Sequence, residues 1–201
     1  MRFLLLSLCF LLIGCGSYTK SLELDPIPTT EKSVMNPYFS DASKDYVYKV
    51  SIDFRAHSFS GILVVKKIAH QQHRIVFTTE MGNKLMDFTL GEHDFEVHHI
   101  VDVLDRKLFI SMLKRDFKTL VTQQIPVSRT FGDHSEKVYE TDLFNKTHYY
   151  FFNQRQLSKI VSTSGAKEKS SFHFSEVSNN TAGKIQILHE NFQLTINLTA
   201  F

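Results

Sequence analysis

Hydrophobic residues recur at every second position over most of the chain from Tyr46 onward. In the first such segment one face carries the apolar residues Tyr46, Tyr48, Val50, Ile52, Phe54 and Ala56. A period of two is that of a β-strand with one buried face. The pattern predicts strands at about 46–56, 60–68, 73–80, 84–90, 94–100, 137–141, 147–153, 157–163, 170–177, 184–189 and 192–198. Because the links between them are short, strands that are neighbours in sequence should pair antiparallel.

One central segment has a different period. Between Leu104 and Val121 the apolar residues are spaced as on one side of a helix, at Leu108, Phe109, Met112, Leu113, Phe117, Leu120 and Val121. This predicts one amphipathic helix of about 17 residues. We therefore expect a mainly β domain over 45–201: a curved antiparallel sheet, or incomplete β-barrel, of about eleven strands wrapped around a central amphipathic helix.

Asp116 falls inside the apolar stripe of this predicted helix, between Met112, Leu113 and Leu120. A carboxylate in that position needs a charged or hydrogen-bonding partner if it is buried. One interpretation is a polar latch that joins the helix to the sheet until something displaces it. The other is an ordinary solvated or capped carboxylate at the edge of the stripe, which the width of the stripe favours.

The first fourteen residues have the composition of a signal peptide. Arg2 supplies one positive charge, and residues 3–13 are apolar apart from Ser7. This run is shorter than the roughly 20 residues of a membrane-spanning helix but fits a signal-peptide core of about 7–15. The following Leu12-Ile13-Gly14-Cys15 resembles the bacterial lipobox. It predicts cleavage after residue 14 and acylation of the Cys15 thiol; an ordinary signal peptide or a short N-terminal anchor is the alternative.

Cysteine content bears on whether the mature chain can form a disulfide, and net charge bears on whether it can bind nucleic acid. Cys9 would leave with the signal peptide, so the mature chain would keep Cys15 alone and form no disulfide. The net charge is +2, or +1 once Arg2 is removed, which gives no electrostatic basis for nucleic-acid binding.

Residues 15–44 show no sustained period. They contain Pro26, Pro28 and Pro37 together with many Ser and Thr residues, so they predict a flexible tether behind the lipidated cysteine. A spacer of roughly 30 residues could span about 100 Å if extended. The alternative, which we weigh equally, is that 34–39 pack on the domain as a short helix or arm.

Candidate catalytic and metal-binding patterns are weak. His70 and His73 fall at a predicted turn, and the adjacent His98 and His99 point to opposite faces of a strand. The sequence has no Cys or carboxylate cluster at zinc spacing, no Gly-x-Ser-x-Gly, no His-Glu-x-x-His and no Gly-rich phosphate loop. We therefore expect no metal, no cofactor and no enzymatic activity.

Two segments, 62–65 and 148–152, are apolar on both faces. Either the helix and the tether cover these strands on both sides, or the inner face of the sheet has more apolar surface than one helix covers. The second case would leave an apolar cavity, and an antiparallel barrel of this size can hold a ligand.

The order of lipobox, tether, about five strands, helix and about six strands resembles the LolA/LolB-like superfamily of lipoprotein carriers and receptors. The local stretches Phe-Ser-Gly-Ile-Leu-Val-Val-Lys-Lys at 59–67 and Ile-Gln-Ile-Leu-His-Glu-Asn-Phe-Gln-Leu-Thr-Ile-Asn-Leu at 185–198 are similar to strands of such proteins. The resemblance implies an incomplete barrel with an apolar cavity for acyl chains. Cys15 favours the membrane-anchored, LolB-like receptor, and Gly16 after it favours the outer membrane. One helix is predicted here where the family usually has several.

This resemblance and the strand parity together predict an apolar ligand cavity. Its lining would be Tyr48, Val50, Ile52, Phe54, Phe109, Met112, Leu113, Phe117, Leu194 and Ile196. The resulting expectation is a monomer that is lipid-anchored at the periplasmic face of the outer membrane and binds acyl chains or lipoproteins. The alternative is a non-catalytic structural or interaction lipoprotein whose barrel is filled.

Overall fold

The computed structural model describes residues 17–133 and 135–201, which form two helices and fifteen strands. In chain order they are α1 Tyr18–Ser21, β1 Pro26–Ile27, β2 Ser33–Met35, β3 Asp45–Phe54, β4 His57–Ala69, β5 Gln72–Thr78, β6 Lys84–Leu90, β7 Phe95–Ile100, α2 Lys107–Val121, β8 Gln124–Pro126, β9 Arg129–Gly132, β10 Glu136–Leu143, β11 Lys146–Asn153, β12 Gln156–Ser164, β13 Lys167–Ser178, β14 Thr181–His189 and β15 Leu194–Ala200.

Thirteen of these strands form one antiparallel sheet in the order β1-β9-β10-β11-β12-β13-β14-β15-β3-β4-β5-β6-β7. The last strand, β15, joins the two halves of the chain by pairing with β3, which places Ile196 opposite Ile52. The sheet is open, with β1 and β7 at its edges, and β2 pairs separately with β8. The predicted mainly β fold class is confirmed, and all eleven predicted strands are present. The four additional strands, β1, β2, β8 and β9, have two to four residues each and are too short to show a period.

Helix α2 packs on the inner face of the sheet through its apolar side chains. The Phe109 ring lies 5.0 Å from that of Phe54 on β3, and the Phe117 ring meets that of Phe88 on β6 at 5.5 Å. The helix has 15 residues and begins later than predicted, at Lys107. Its start is delayed because residues 101–105 form a turn, in which the Leu104 amide donates to the Val101 carbonyl at 2.9 Å.

The segment predicted as a flexible tether is folded against the sheet from residue 17 onward. Tyr18 is buried against the Tyr149 ring at 5.0 Å, and Tyr38 and Phe39 belong to the main core. Asn36, which is fully buried, donates from Nδ2 to the Leu120 carbonyl at 2.8 Å. The prediction of a free spacer is therefore wrong for residues 17–44, and the alternative of an arm packed on the domain describes 34–39. Cys15 and the predicted signal peptide lie outside the described residues.

The two segments that are apolar on both faces differ in the structure. Strand β11 is covered on both sides: Tyr150 packs into the core under α2, whereas Tyr149 and Phe151 pack with Tyr18 on the other face. In 62–65 only Leu63 and Val65 are buried. For β11, coverage by the helix and the N-terminal segment accounts for the pattern without a cavity.

Asp87 on β6 provides a pH-dependent contribution to this fold. It is buried and accepts two hydrogen bonds from Arg74, at 2.9 and 3.0 Å, and one from Lys84 at 2.7 Å. The hydrogen bonds from Arg74, followed by that from Lys84, lower the pKa of Asp87 from 3.8 to about 2 against the opposing effect of burial. Because the folded-state pKa is lowered, the stabilisation is present at neutral pH and is lost as the pH falls from about 4 to about 2.

We expect Asp87→Asn to lower the free energy of unfolding at pH 7 by about 1–2 kcal/mol, since Arg74 and Lys84 are half exposed and solvent screens the pair. The difference from the unmodified protein should shrink toward pH 2, as measured by urea denaturation across pH. Asp45→Asn is the control, because its ion pair with Lys66 is exposed on both sides. Equal losses in the two variants at pH 7 would contradict this account.

Candidate functional site

The ten residues predicted to line a cavity lie together between the inner face of the sheet and α2. Nine of them are at most 2 % exposed, and Phe54 is partly buried against them. Their side chains pack on one another in the main core. A ligand could contact them only if α2 and the sheet separated, so their role as ligand contacts stays a prediction.

An open groove of about 330 Å³ lies at the C-terminal end of α2, and we call it the α2 groove. Its apolar walls are Met35, Leu90, Val121, Leu143 and Phe144. Leu90 and Val121 also belong to the main core, and Leu143 packs against that core. Part of the groove wall is therefore formed by residues that also belong to the apolar interior between α2 and the sheet.

Sequence reasoning missed this groove because its walls come from four separated parts of the chain. Met35 lies on β2, within the segment predicted to be a flexible tether, and Phe144 lies in the turn between β10 and β11. Met35 and Phe144 are hydrophobic side chains that the structure leaves exposed to solvent. Such exposure marks a surface that can bind an apolar ligand. Neither takes part in a periodic pattern that would have marked it.

The Lys118 side chain crosses the rim of the α2 groove. Its Nζ donates to the Glu92 carbonyl on one side and lies 4.8 Å from the centre of the Phe144 ring on the other. Burial, followed by the nearby charge of Lys114, lowers the pKa of Lys118. The rim is thus formed by contacts between α2, the β6–β7 link and the β10–β11 turn.

Asp116 is buried and pairs with His189, the last residue of β14. The Asp116 Oδ2 and His189 Nε2 atoms are 2.9 Å apart, and both side chains are almost completely shielded from solvent. When Asp116 is ionised its carboxylate can only accept, and the His189 Nε2–H is then the donor. Burial raises the pKa of Asp116, opposed first by the hydrogen bond from His189. Asp116 is therefore not a solvated carboxylate but a polar link between helix and sheet; that this link opens stays a prediction.

Within the described residues, no group of three or more His, Cys, Asp or Glu side chains is placed to hold a metal ion. Over the same ranges, no helix has the length and hydrophobicity needed to cross a bilayer.

The geometry defines a class of protein in which an open antiparallel sheet encloses one long helix and an apolar interface. A scan against protein-family models and a search of curated proteins found no match. Among solved structures, a LolA superfamily protein from Nitrosomonas europaea matches with a TM-score of 0.53 and 9% identity, over 83% of this chain and 88% of that one. The chain thus has a LolA/LolB-like fold.

Two further solved structures match less closely. A DUF1329 family protein from Desulfovibrio piger has a TM-score of 0.44 and 6% identity, over 80% of this chain and 85% of that one. An outer membrane lipoprotein-sorting protein domain from Vibrio parahaemolyticus has a TM-score of 0.41 and 6% identity, over 78% and 83% of the two chains.

Proposed function

We propose that this protein is a lipid-anchored, non-catalytic protein of the bacterial cell envelope that binds acyl chains or another apolar ligand. The ligand enters at the α2 groove and extends between α2 and the sheet toward the ten predicted residues. The observation that carries this proposal is the continuity of groove and core: Leu90 and Val121 line the open groove and are also packed in the main core.

An acyl chain suits this interface because apolar contact has no directional requirement. As α2 and the sheet separate, the methylene groups of the chain replace the side-chain contacts that are lost. Each Å² of ligand surface removed from water contributes about 25 cal/mol. Such a site accepts a chain with little regard to what is attached to it, which is what the carriage of lipids or lipoproteins requires.

The proposed anchor at Cys15 would hold the domain close to the membrane. Ser17 already caps α1, and Tyr18 is packed on the sheet. Two residues of extended chain span about 7 Å, far less than the 100 Å reach of a free spacer. We place the protein at the periplasmic face of the outer membrane, on the basis of the lipobox-like segment and Gly16 after it.

The proposal is tested with the mature chain carrying Cys15→Ser, so that its own acyl groups are absent. We expect lipid to co-purify with it, detected by native mass spectrometry, and the fluorescent fatty acid cis-parinaric acid to bind saturably. Leu143→Arg places a charge in the α2 groove and should weaken binding by about tenfold or more. Leu22→Arg is the matched control on an exposed leucine outside the groove and should bind normally. No co-purified lipid together with no fatty-acid uptake would overturn the proposal.

The filled interior supports a second candidate function. Because the ten predicted cavity residues pack on one another, the domain could act as a structural or interaction module that binds an envelope partner through its outer face or edges. The same experiment separates the two candidates, since an interaction module would take up no fatty acid and would be unaffected by Leu143→Arg.

A further inference from the structure

A second, polar pocket of about 100 Å³ lies beside α2 and shares Phe144 with the α2 groove. It has room for a group larger than a single water molecule. Its basic lining comes from three elements: Arg115 on α2, Lys146 at the start of β11 and Lys169 on β13. We call it the basic pocket.

Positive charge in the basic pocket exceeds negative charge. Asp116 is the one carboxylate in the lining of the basic pocket. It is already hydrogen-bonded to His189 at 2.9 Å. Among the described residues, none of the three basic side chains has a carboxylate within 4.0 Å. Burial, followed by the charges of Arg115 and Lys169, lowers the pKa of Lys146. An anion placed in this pocket would relieve that repulsion.

Hydroxyl donors complete the lining. Ser162 and Ser170 are both buried on strands β12 and β13, and both line the basic pocket. Basic and hydroxyl donors around one small volume are the chemistry that binds a phosphate group, whose several oxygens accept from many directions.

Phe144 relates this pocket to the α2 groove, because its ring lines both of them. An amphiphile could therefore place its head in the basic pocket and its acyl chain in the α2 groove, with Phe144 in contact with both. The N-terminal segment passes over the opposite face of the same strand, where the Tyr18 hydroxyl donates to Glu168 at 3.0 Å, next in sequence to Lys169. A cysteine anchored a few residues before Tyr18 would bring this end of the domain near lipid headgroups.

We propose that the basic pocket binds the phosphate headgroup of an anionic amphiphile whose acyl chain lies in the α2 groove. This inference rests on the proposed function, because it assigns the acyl chain of the ligand to the same groove. It adds the chemical class of the ligand. Selectivity for the headgroup would come from Lys146, Lys169 and Arg115. The groove would bind the acyl chain whatever headgroup is attached to it.

The test compares three probes on the mature chain with Cys15→Ser: lysophosphatidic acid, a monoacylglycerol of the same chain length, and inorganic phosphate. Binding of the two amphiphiles is measured by displacement of cis-parinaric acid, and binding of inorganic phosphate is measured by calorimetry. We expect lysophosphatidic acid to bind about tenfold more tightly than the monoacylglycerol, and this preference to fall with salt. Lys146→Gln and Lys169→Gln should each remove most of the preference while leaving monoacylglycerol binding unchanged.

Lys167→Gln is the matched control, because Lys167 lies on the same strand as Lys169 and is exposed outside the pocket. Equal binding of the two amphiphiles would overturn the headgroup assignment and leave the proposed function intact. Binding of neither amphiphile would overturn both. Inorganic phosphate that binds as tightly as lysophosphatidic acid, and is lost in the same variants, would show a site for a free anion and overturn the assignment to a lipid.

Discussion

Phe117→Ala is expected to lower the free energy of unfolding by about 3–5 kcal/mol, the range for truncating a buried phenylalanine. Phe117 is 1 % exposed and meets Phe88 edge-on at a ring-centre distance of 5.5 Å, so alanine would leave a cavity in the middle of the α2 interface. A domain of this kind has about 5–15 kcal/mol of stability in total, so the loss should appear as a large shift of the urea midpoint.

Leu108→Ala on the same helix is the control for Phe117→Ala. Leu108 is 42 % exposed, and its truncation should change stability by about 0.5 kcal/mol or less. The comparison isolates burial of the α2 face from helix propensity, because both substitutions introduce alanine into the same helix. Similar small losses in both variants would mean that α2 does not pack on the sheet as described.

Asp116→Ala is expected to cost about 2 kcal/mol and to speed the uptake of fatty acid. The alanine removes the acceptor of the His189 Nε2–H and leaves a buried donor without its partner, which costs about 1–3 kcal/mol. It also removes a polar link between α2 and the sheet, so separation of the two layers should become easier. Stopped-flow uptake of cis-parinaric acid and urea denaturation measure the two effects. Unchanged stability together with unchanged fatty-acid binding would contradict the interpretation of Asp116 as a latch.

Asp116→Asn separates the hydrogen bond from the charge. Burial raises the pKa of Asp116 above its ordinary value of 3.8, so the folded state binds a proton more tightly than the unfolded state. The ionised carboxylate therefore costs stability as the pH rises from about 4 through the folded-state pKa. The asparagine variant lacks this cost, and its stability relative to the unmodified protein should rise over that pH window. A relative stability that falls with rising pH would contradict the assignment.

The alternation of hydrophobic residues was enough to predict the sheet because every long strand has one buried face. The same periodicity placed Ile196 and Ile52 on the inner face, but the pairing of their strands joins the two ends of the domain and was not predicted from residue spacing. The predicted helix start at Leu104 is too early, because Leu104 continues the apolar stripe although it lies in a turn. Residue spacing gave no sign of that turn.

The N-terminal segment could not be predicted from period, because its anchoring residues are isolated. Asn36, Tyr38 and Phe39 are buried, but they follow one another beside Pro37 and match neither a helix nor a strand. Asp116 was recognised as unusual, yet its partner His189 is 73 positions away and only the sheet topology brings them together. The α2 groove and the basic pocket were missed for the same reason, since each combines side chains from separate elements.

The central claim, that an acyl chain enters at the α2 groove, is tested most directly by a site-specific reporter. The protein contains no tryptophan, so Met35→Trp at the groove and Met81→Trp in the exposed β5–β6 turn each provide a single fluorophore at a defined place. A brominated fatty acid quenches tryptophan on contact and is titrated into each variant in the Cys15→Ser background. We predict saturable quenching of Met35→Trp and none of Met81→Trp beyond free collision. Equal, non-saturating quenching of both variants would contradict the account.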